Sequence, residues 1–378
     1  MPLRNYRFRL YPTALQEQQL VEVLDGCRWV YNYFLDKNMS VYDMQFALTE
    51  LKEEESFLRN YHSKMLQMVV HRIDAANNAL KALRQNGHRV GRLHYLTDGE
   101  YNSFTYNQSG FKIEGSKIYL SKIGSIEIVL HRQPVNVKQV TIVRRNGKWY
   151  AVVACEFAKP AFRFIDPRKS VGIDVGITKF AHDSDDRVVE NPLFLTKMLK
   201  PLRRAQGKVS RRVRGSNNHA KAKSWVARLH ERIANKRRDF LHKVSTGYAS
   251  RYDLIFLEDL RTLNMVKNHS VARHVLDSGW RTFNSMLEYK AKMMVEVEPA
   301  YTSIDCSRCG NKVQKTLAVR THRCDRCGIT IDRDYNASLN ILKKGLQLLP
   351  VEHREVTPAE IPEESLKQEL RLPVHDRW

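Results

Sequence analysis

The order of apolar and polar positions changes period several times along the chain. Residues 3–11 alternate, with Leu3, Tyr6, Phe8 and Leu10 as the apolar set, which predicts a strand ending at Pro12. From about 13 to 86 the period becomes helical: Leu15, Leu20, Val23, Leu24, Cys27, Val30, Tyr31 and Phe34 fall near every 3.6 residues, and Gly87 closes the last of several helices. Between 101 and 158 the period returns to two, and Asn146-Gly147 predicts a hairpin turn between Thr141–Arg145 and Lys148–Cys155. A strand, a helical insert and more strands predict a small β-barrel interrupted by a helical unit. Pro160–Pro167 reads as a linker.

After 168 the pattern is mixed. Ser170–Ala181 reads as a strand, a glycine-bounded bend and a second strand, and Asp253–Glu258 as a buried central strand. His274–Val295 predicts one long amphipathic helix through Val275, Trp280, Phe283, Met286, Leu287, Ala291 and Met294, followed by a strand over Val295–Ile304 and a closing helix over Asp334–Lys344. The pattern gives an α+β multidomain fold.

Charge sharpens this picture. The 378 residues carry a formal net charge of +22, and residues 203–243 hold 14 Lys/Arg against Glu231 and Asp239 only. The apolar residues Trp225, Leu229, Ile233, Phe240 and Val244 lie on one helical face there, and Leu195, Met198, Leu199, Leu202, Val209 and Val213 predict a helix before it, interrupted at or starting near Pro201. This predicts a basic helical hairpin turning at Gly215–Asn218, docked by one edge. Arg203, Arg204, Arg211, Arg212, Lys221, Lys236, Arg237 and Arg238 are then free for phosphates, and nucleic acid is the first candidate partner. Apolar runs such as 65–70 fall short of a membrane span, and no apolar leader is visible at the N-terminus, so a cytoplasmic, nucleoid-associated protein is expected. Residues 351–378 reverse the sign, with 7 acids against 4 Lys/Arg, and read as a flexible extension with a short helix at 363–371.

Two constellations carry chemistry. Cys306-x2-Cys309-Gly and Cys324-x2-Cys327-Gly predict two knuckles around one structural zinc ion, closed by four thiolates. Disulfides are the alternative, disfavoured in a reducing compartment; Cys27 and Cys155 read as core residues. Three acids sit where cores exclude them: Asp174 inside a hydrophobic strand, Glu258 at the end of another, and Asp334 at the start of the last helix, with Asp332 as its alternative. Each alone reads equally well as a cap or salt-bridge partner. Together they can converge on divalent cations, and two Mg²⁺ about 4 Å apart would support in-line phosphodiester displacement.

At these residues the chain resembles the TnpB family, transposon-encoded, RNA-guided DNA nucleases related to type V CRISPR effectors. V-G-I-D-V-G-I-T-K-F-A (171–181), L-E-D-L (257–260), the paired C-x2-C-G and D-R-D-Y-N-A-S-L-N-I (332–341) occur in the family's order. Y-R-F-R-L-Y-P-T (6–13), C-R-W-V-Y-N-Y-F-L (27–35) and N-K-R-R-D-F-L-H-K (235–243) extend the likeness to roughly residues 4–345. It implies a wedge β-barrel over 1–12 and 95–165 and a helical recognition domain over 13–94. It further implies a RuvC-like, ribonuclease-H-type nuclease domain over 168–302 and 331–345, an inserted zinc ribbon over 303–330 and a tail over 346–378. Asp174, Glu258 and Asp334 would bind Mg²⁺, and a guide RNA from the transposon end would direct cleavage of double-stranded DNA beside a short motif. Gln67, Thr105 and Asn107, with Phe104, resemble positions that meet that motif. The protein would act as a monomer in an RNA–protein complex. The chain departs from the family at Pro201 and at G-R-L-H-Y-L (91–96), which puts local contacts there in question. A nuclease-dead RNA-guided regulator and a strand-joining transposase are the alternatives.

Overall fold

The computed structural model describes residues 3–157, 165–316 and 319–349. The short helix expected at 363–371 lies outside these residues, as does most of the expected linker. The chain divides into two units, Met1–Lys159 and Pro160–Trp378.

In the first unit, β1 (Leu3–Tyr11) runs into α1 (Ala14–Leu35), α2 (Val41–Glu54) and α3 (Ser63–Gln85) before the chain returns to strands. Thr13 explains the switch: its hydroxyl accepts from the Gln16 N–H at 3.3 Å while Gln16 Oε1 accepts from the Thr13 N–H at 3.0 Å. The apolar stripe of α1 is buried from Leu20 to Phe34, but Leu15 is 68% exposed, because it stands in the first turn, before the helix meets its neighbours. The strands β2 (Ser103–Asn107), β3 (Phe111–Glu114), β4 (Lys117–Leu120), β5 (Gly124–Val129), β6 (Val137–Arg145) and β7 (Lys148–Glu156) join β1 in one sheet, ordered β2-β6-β7-β1-β5-β4-β3. The two edge strands, β2 and β3, are consecutive in the chain, so the sheet's edges are tied by residues 108–110. Asn146 and Gly147, at φ 52° and 70°, make the β6–β7 turn in the left-handed conformation that such a hairpin demands.

The second unit is built on β8 (Ser170–Val175), β9 (Lys179–Asp183), β10 (Val188–Glu190), β11 (Leu254–Glu258) and β12 (Met293–Val297), ordered β10-β9-β8-β11-β12. β8, β11 and β12 are parallel; β9 runs antiparallel between β8 and β10, so β10 points the same way as β8. Between β10 and β11 come α4 (Phe194–Ser210) and the 35-residue α5 (Asn217–Arg251). Helices α6 (Thr262–Met265), α7 (His269–Ser278) and α8 (Trp280–Lys290) precede β12. The short pair β13 (Thr321–Arg323) and β14 (Thr330–Asp332) leads into α9 (Arg333–Leu348).

Strand alternation sorts the two faces of this sheet. Val171, Ile173, Val175, Ile255 and Leu257 face α5 and α8, where Phe180 stacks edge-on against Phe240 and Phe283. Leu254 and Phe256 face α9. α9 lies unusually close: a β-carbon on Gly172 would stand 2.3 Å from the Ser338 carbonyl oxygen, and one on Gly345 would stand 2.1 Å from the Phe256 ring. Each glycine leaves the space that its partner occupies.

Four expectations are corrected here. α4 runs unbroken through Pro201; Pro201 and Lys197 are both exposed, so the carbonyl that loses its helical donor faces water. The helix expected over His274–Val295 is two helices, broken at Gly279 with φ 72°, and the strand expected over 295–304 is confined to β12. On the hairpin, Trp225 and Val213 are 52% and 78% exposed; the seam is made by Leu202, Ala205 and Leu229 with Leu195, Met198 and Val226. Trp225 stands one position off that seam and shelters under the Arg228 guanidinium instead.

Gly172→Ala is expected to lower the stability of the protein by about 1–3 kcal/mol, because the added methyl meets helix backbone that cannot swing aside. Gly207→Ala, in α4 with open space around it, should be neutral or stabilising by up to about 1 kcal/mol. Thermal unfolding of the two variants separates them; equal behaviour would show that α9 does not rest on the β8 backbone.

Candidate functional site

Parallel pairing places the acids. Ile173 and Leu257 are partners in the β8–β11 register, so Asp174 and Glu258 follow them at the C-terminal ends of neighbouring strands. Both point to the α9 face, by the alternation that turns Ile173 and Leu257 away from it. Asp334 enters from the first turn of α9. Burial, then the negative charges of Glu258 and Asp334, push the Asp174 carboxyl well above the usual carboxylate range. Burial also raises Glu258, which is 9% exposed, against the opposing pull of the Thr302 hydroxyl, which donates to it, and of the Lys344 ammonium.

Asp332 and Asp334 divide two roles at one helix start. Asp332 caps α9, its Oδ1 accepting from the Asp334 and Tyr335 N–H groups at 2.8 and 3.2 Å, and its Oδ2 meets Lys179 Nζ at 2.9 Å. Burial works against this carboxylate, but Lys179 and the two N–H donors outweigh it and hold it below its ordinary value. Among the described residues, the one cation that meets Asp334 is distant, Arg320 Nη1 at 3.8 Å, and that guanidinium is 58% exposed. Of the two, Asp334 is the less neutralised, and its charge acts on Asp174 ahead of that of Asp332.

The cysteines of the expected knuckles meet. Their four sulfurs lie within 4.8 Å of one another, the one group of metal-ligating side chains gathered this tightly among the described residues. The closest pairs, Cys306–Cys327 and Cys309–Cys324, are 3.6 and 3.5 Å apart. That is far beyond a disulfide bond and close to the edge of a tetrahedron with Zn–S bonds of about 2.3 Å. The knuckles are copies of each other. Gly310 and Gly328 return their N–H groups to Cys306 and Cys324 carbonyls at 2.8 and 2.9 Å, both at φ 72°, a backbone that suits glycine. Backbone N–H groups of Cys327 and Arg326 and the neighbouring sulfurs bring the Cys324 thiol down to about 6, which favours the thiolate that a zinc ion takes. Cys27 and Cys155 are buried core residues, and burial pushes Cys27 up to about 12.

The remaining expected contacts fall as follows. Arg203, Arg204, Arg211, Arg212, Lys221, Lys236 and Arg238 are exposed on α4, α5 and their turn. Arg237 turns inward and pairs with buried Asp277 at 2.7 Å, a bond that ties α5 to α7. Gln67 on α3 and Thr105 and Asn107 on β2 are half-buried, with the Thr105 hydroxyl 2.9 Å from that of Thr141.

Several residues escaped the sequence reading. Thr302 orients Glu258. Asn336 and Asn340, one turn apart on α9, hold the Asp305 carbonyl at 2.8 and 2.7 Å, and Asn336 also accepts from the Ser307 N–H. His182, 2% exposed and opposite Asp174 in the β8–β9 register, stacks on Tyr335 and reaches Asp332 at 3.4 Å. Only the spacing Asn-x3-Asn on the last helix offered a signal for any of them.

Comparison with known proteins gives concordant results. Residues 163–269 match the family described as "Probable transposase" (OrfB, IS605 type), residues 280–341 "Cas12f1-like, TNB domain", and residues 1–45 "Helix-turn-helix domain". "Putative RNA-guided DNA endonuclease InsQ" of Escherichia coli K12 is 32% identical, over 92% of this chain and 93% of its own. "Putative RNA-guided DNA endonuclease" of Streptomyces pristinaespiralis is 32% identical, over 91% and 89%. Among solved structures, a chain of the "Cryo-EM structure of the Cas12f1-sgRNA-target DNA complex" shares the fold, with TM-score 0.51 at 13% identity, covering 90% of this chain and 98% of that one.

Two measurements test the site. Elemental analysis is expected to find one zinc ion per chain, and chelation or Cys309→Ser to lower the melting temperature; a zinc-free protein of unchanged stability would contradict the cluster. In metal-free buffer, Asp174→Asn is expected to raise the melting temperature near neutral pH. A carboxyl raised on folding stabilises the fold while protonated, and that contribution is lost as pH rises through its raised value. The advantage of the variant therefore shrinks as pH falls toward ~4. An unchanged or lowered melting temperature at neutral pH would show that Asp174 is not under this strain.

Proposed function

This chain belongs to the TnpB (OrfB, IS605 type) family, and on that premise we propose that it is an RNA-guided, Mg²⁺-dependent endonuclease that cuts double-stranded DNA beside a short target-adjacent motif. The observation that carries the reading is Asp174: a carboxyl at a parallel strand end, pushed up by burial and by two further acids that face it. Such a cluster is costly unless a cation neutralises it, and oxygen ligands of this type suit Mg²⁺. Bound there, two Mg²⁺ ions would activate water and neutralise charge at a scissile phosphodiester.

The residues' own tasks follow from their places. Asp174 and Glu258 present fixed oxygens because each ends a hydrogen-bonded strand, and Thr302 holds the Glu258 carboxylate in one orientation. Asp334 brings a third oxygen from a capped helix start. Arg320, exposed above Asp334, is placed to meet a phosphate oxygen. The sheet order β10-β9-β8-β11-β12, with β9 alone reversed, fits a RuvC-like, ribonuclease-H-type domain over 168–302 and 331–345, with the zinc ribbon over 303–330. The tied sheet of the first unit fits a wedge barrel over 1–12 and 95–165, and α1–α3 a recognition domain over 13–94.

A guide RNA from the transposon end would supply sequence selection, leaving the protein to read the adjacent motif, for which Gln67, Thr105 and Asn107 are the proposed contacts. The exposed cations of α4 and α5 suit the backbones of a guide–target duplex. The protein would act as a monomer in that complex, in the cytoplasm with the nucleoid. Among the described residues no helix is long and apolar enough to cross a membrane.

The protein purified with its co-expressed RNA should cut a plasmid that carries the matching target and a randomised flank. Cleavage is expected to require Mg²⁺ and RNA, and to fall about a hundredfold or more in Asp174→Ala, Glu258→Gln and Asp334→Ala while RNA-dependent binding persists. Binding without cutting by the wild type would identify a regulator instead, and joined products a transposase.

A further inference from the structure

The segment that leaves β12 for the cysteine knuckles makes a turn whose shape decides where Thr302 points. Tyr301 stands in it at φ 64°, a left-handed backbone that aromatic residues rarely adopt. The Tyr301 carbonyl accepts from the Ile304 and Asp305 N–H groups at 3.0 and 2.9 Å, which closes the turn. The next residue, Thr302, is 4% exposed and donates its hydroxyl proton to Glu258. The same hydroxyl lies 3.1 Å from the Pro299 carbonyl, so the turn itself presents a competing acceptor for that one proton. The aim of the hydroxyl therefore depends on the backbone between Pro299 and Thr302, which is the strained part.

Backbone of this kind persists only where its surroundings hold it. The holder is α9. Asn336, Asn340 and Lys344 stand four residues apart along one stripe of that helix. Asn340 Nδ2 donates to the Thr302 carbonyl at 2.8 Å, just after the strained residue. Lys344 Nζ donates to the Ala300 carbonyl, just before it, and to the Glu298 carbonyl at 3.2 Å. Tyr301 is thus gripped on both sides by α9. Its own ring is 54% exposed beside Lys312, so burial of the side chain does little of the holding. A freed Tyr301 would return to negative φ, and rotation there swings Thr302 relative to the end of β11.

We propose that Lys344 is a positioning residue of the acidic site: it holds the left-handed turn at Tyr301, the turn aims the Thr302 hydroxyl, and the hydroxyl fixes Glu258 for Mg²⁺. This rests on the nuclease reading and deepens it. The sign of the effect separates this role from that of charge. The ammonium acts on Glu258 at a distance, and by charge alone its loss would tighten a dication at the acids. Acting through the turn, its loss weakens the dication, because Glu258 is then free to turn away.

The test reads Mn²⁺ binding to the full-length chain without RNA, by loss of the free ion's electron paramagnetic resonance signal. The ions held at the acids are those that Asp174→Ala releases. Lys344→Met is expected to weaken their binding about tenfold, and Lys344→Arg, which keeps charge and donors, to stay within about threefold of the wild type. Hydrogen exchange at Ile304 and Asp305 should speed up in Lys344→Met. Tyr301→Asn, which tolerates the left-handed backbone, should have little effect by itself and should recover most of both losses in the Lys344→Met chain. Damage elsewhere in the fold would not be rescued at that position. Unchanged or tighter Mn²⁺ binding in Lys344→Met, or no recovery with Tyr301→Asn, overturns the proposal. A wild type that binds no Mn²⁺ through Asp174, or binds it and never cuts, overturns the nuclease reading, and hydrogen exchange then still decides whether Lys344 holds the turn.

Discussion

The placement of the acids in the second unit hangs on the contact between α9 and the backbone of β8. At Gly172 the helix backbone occupies the place of a side chain, and at Gly345 the Phe256 ring does the same in reverse. A helix set this deep cannot shift without clashing, and well-packed interiors transmit rather than absorb such displacements. Asp174 is two residues beyond Gly172, and Asp334 is in the helix's first turn. The relation between those two carboxylates is therefore fixed by a steric fit of backbones. Electrostatics alone would drive the acids apart.

The charges around this contact are unequally neutralised. Asp332 and Asp334 share one helix start, yet Lys179, His182 and two N–H groups engage the first and almost nothing neutralises the second. Asp332 stabilises the fold as a cap of the kind worth about 1 kcal/mol. Asp334 adds to a local excess of negative charge that the folded chain tolerates because its packing is strong elsewhere. The same contrast appears on the basic hairpin: Arg237 is consumed in an inward ion pair, whereas its neighbours Lys236 and Arg238 remain exposed.

Much of this was legible in the sequence, for reasons that can be named. Cysteine pairs followed by glycine admit few geometries, and the knuckles at Cys306–Gly310 and Cys324–Gly328 adopt the one expected. An acid inside V-G-I-D-V stands out because a hydrophobic strand has no other use for it. What could not be read depends on partners remote in the chain. Pro201 predicts a break in α4 by local rules, but its orphaned carbonyl faces water and the helix continues. Trp225 and Trp280 are equivalent apolar marks on a helical pattern; only packing makes the first an exposed surface residue and the second a buried one with an idle N–H. Gly279 lay inside an apolar period strong enough to hide the break it causes.

The ribbon shows why a closed metal cluster belongs in such a protein. A four-thiolate site has no open position and does no chemistry of its own. Its attachments nonetheless reach two of the three acids. On entry, Thr302 donates to Glu258, and the Asp305 carbonyl is clamped by Asn336 and Asn340 of α9. On exit, Arg320 lies near Asp334, and β14 ends in the very residue that caps α9. Both ends of the loop that the cluster ties off are thus anchored on the elements that carry Glu258 and Asp334. β11 and the α9–β8 contact fix the backbones of the acids, and the loop's attachments act on their side chains and on the start of α9. A closed cluster would tie the two ends of that loop together at a distance from the acids.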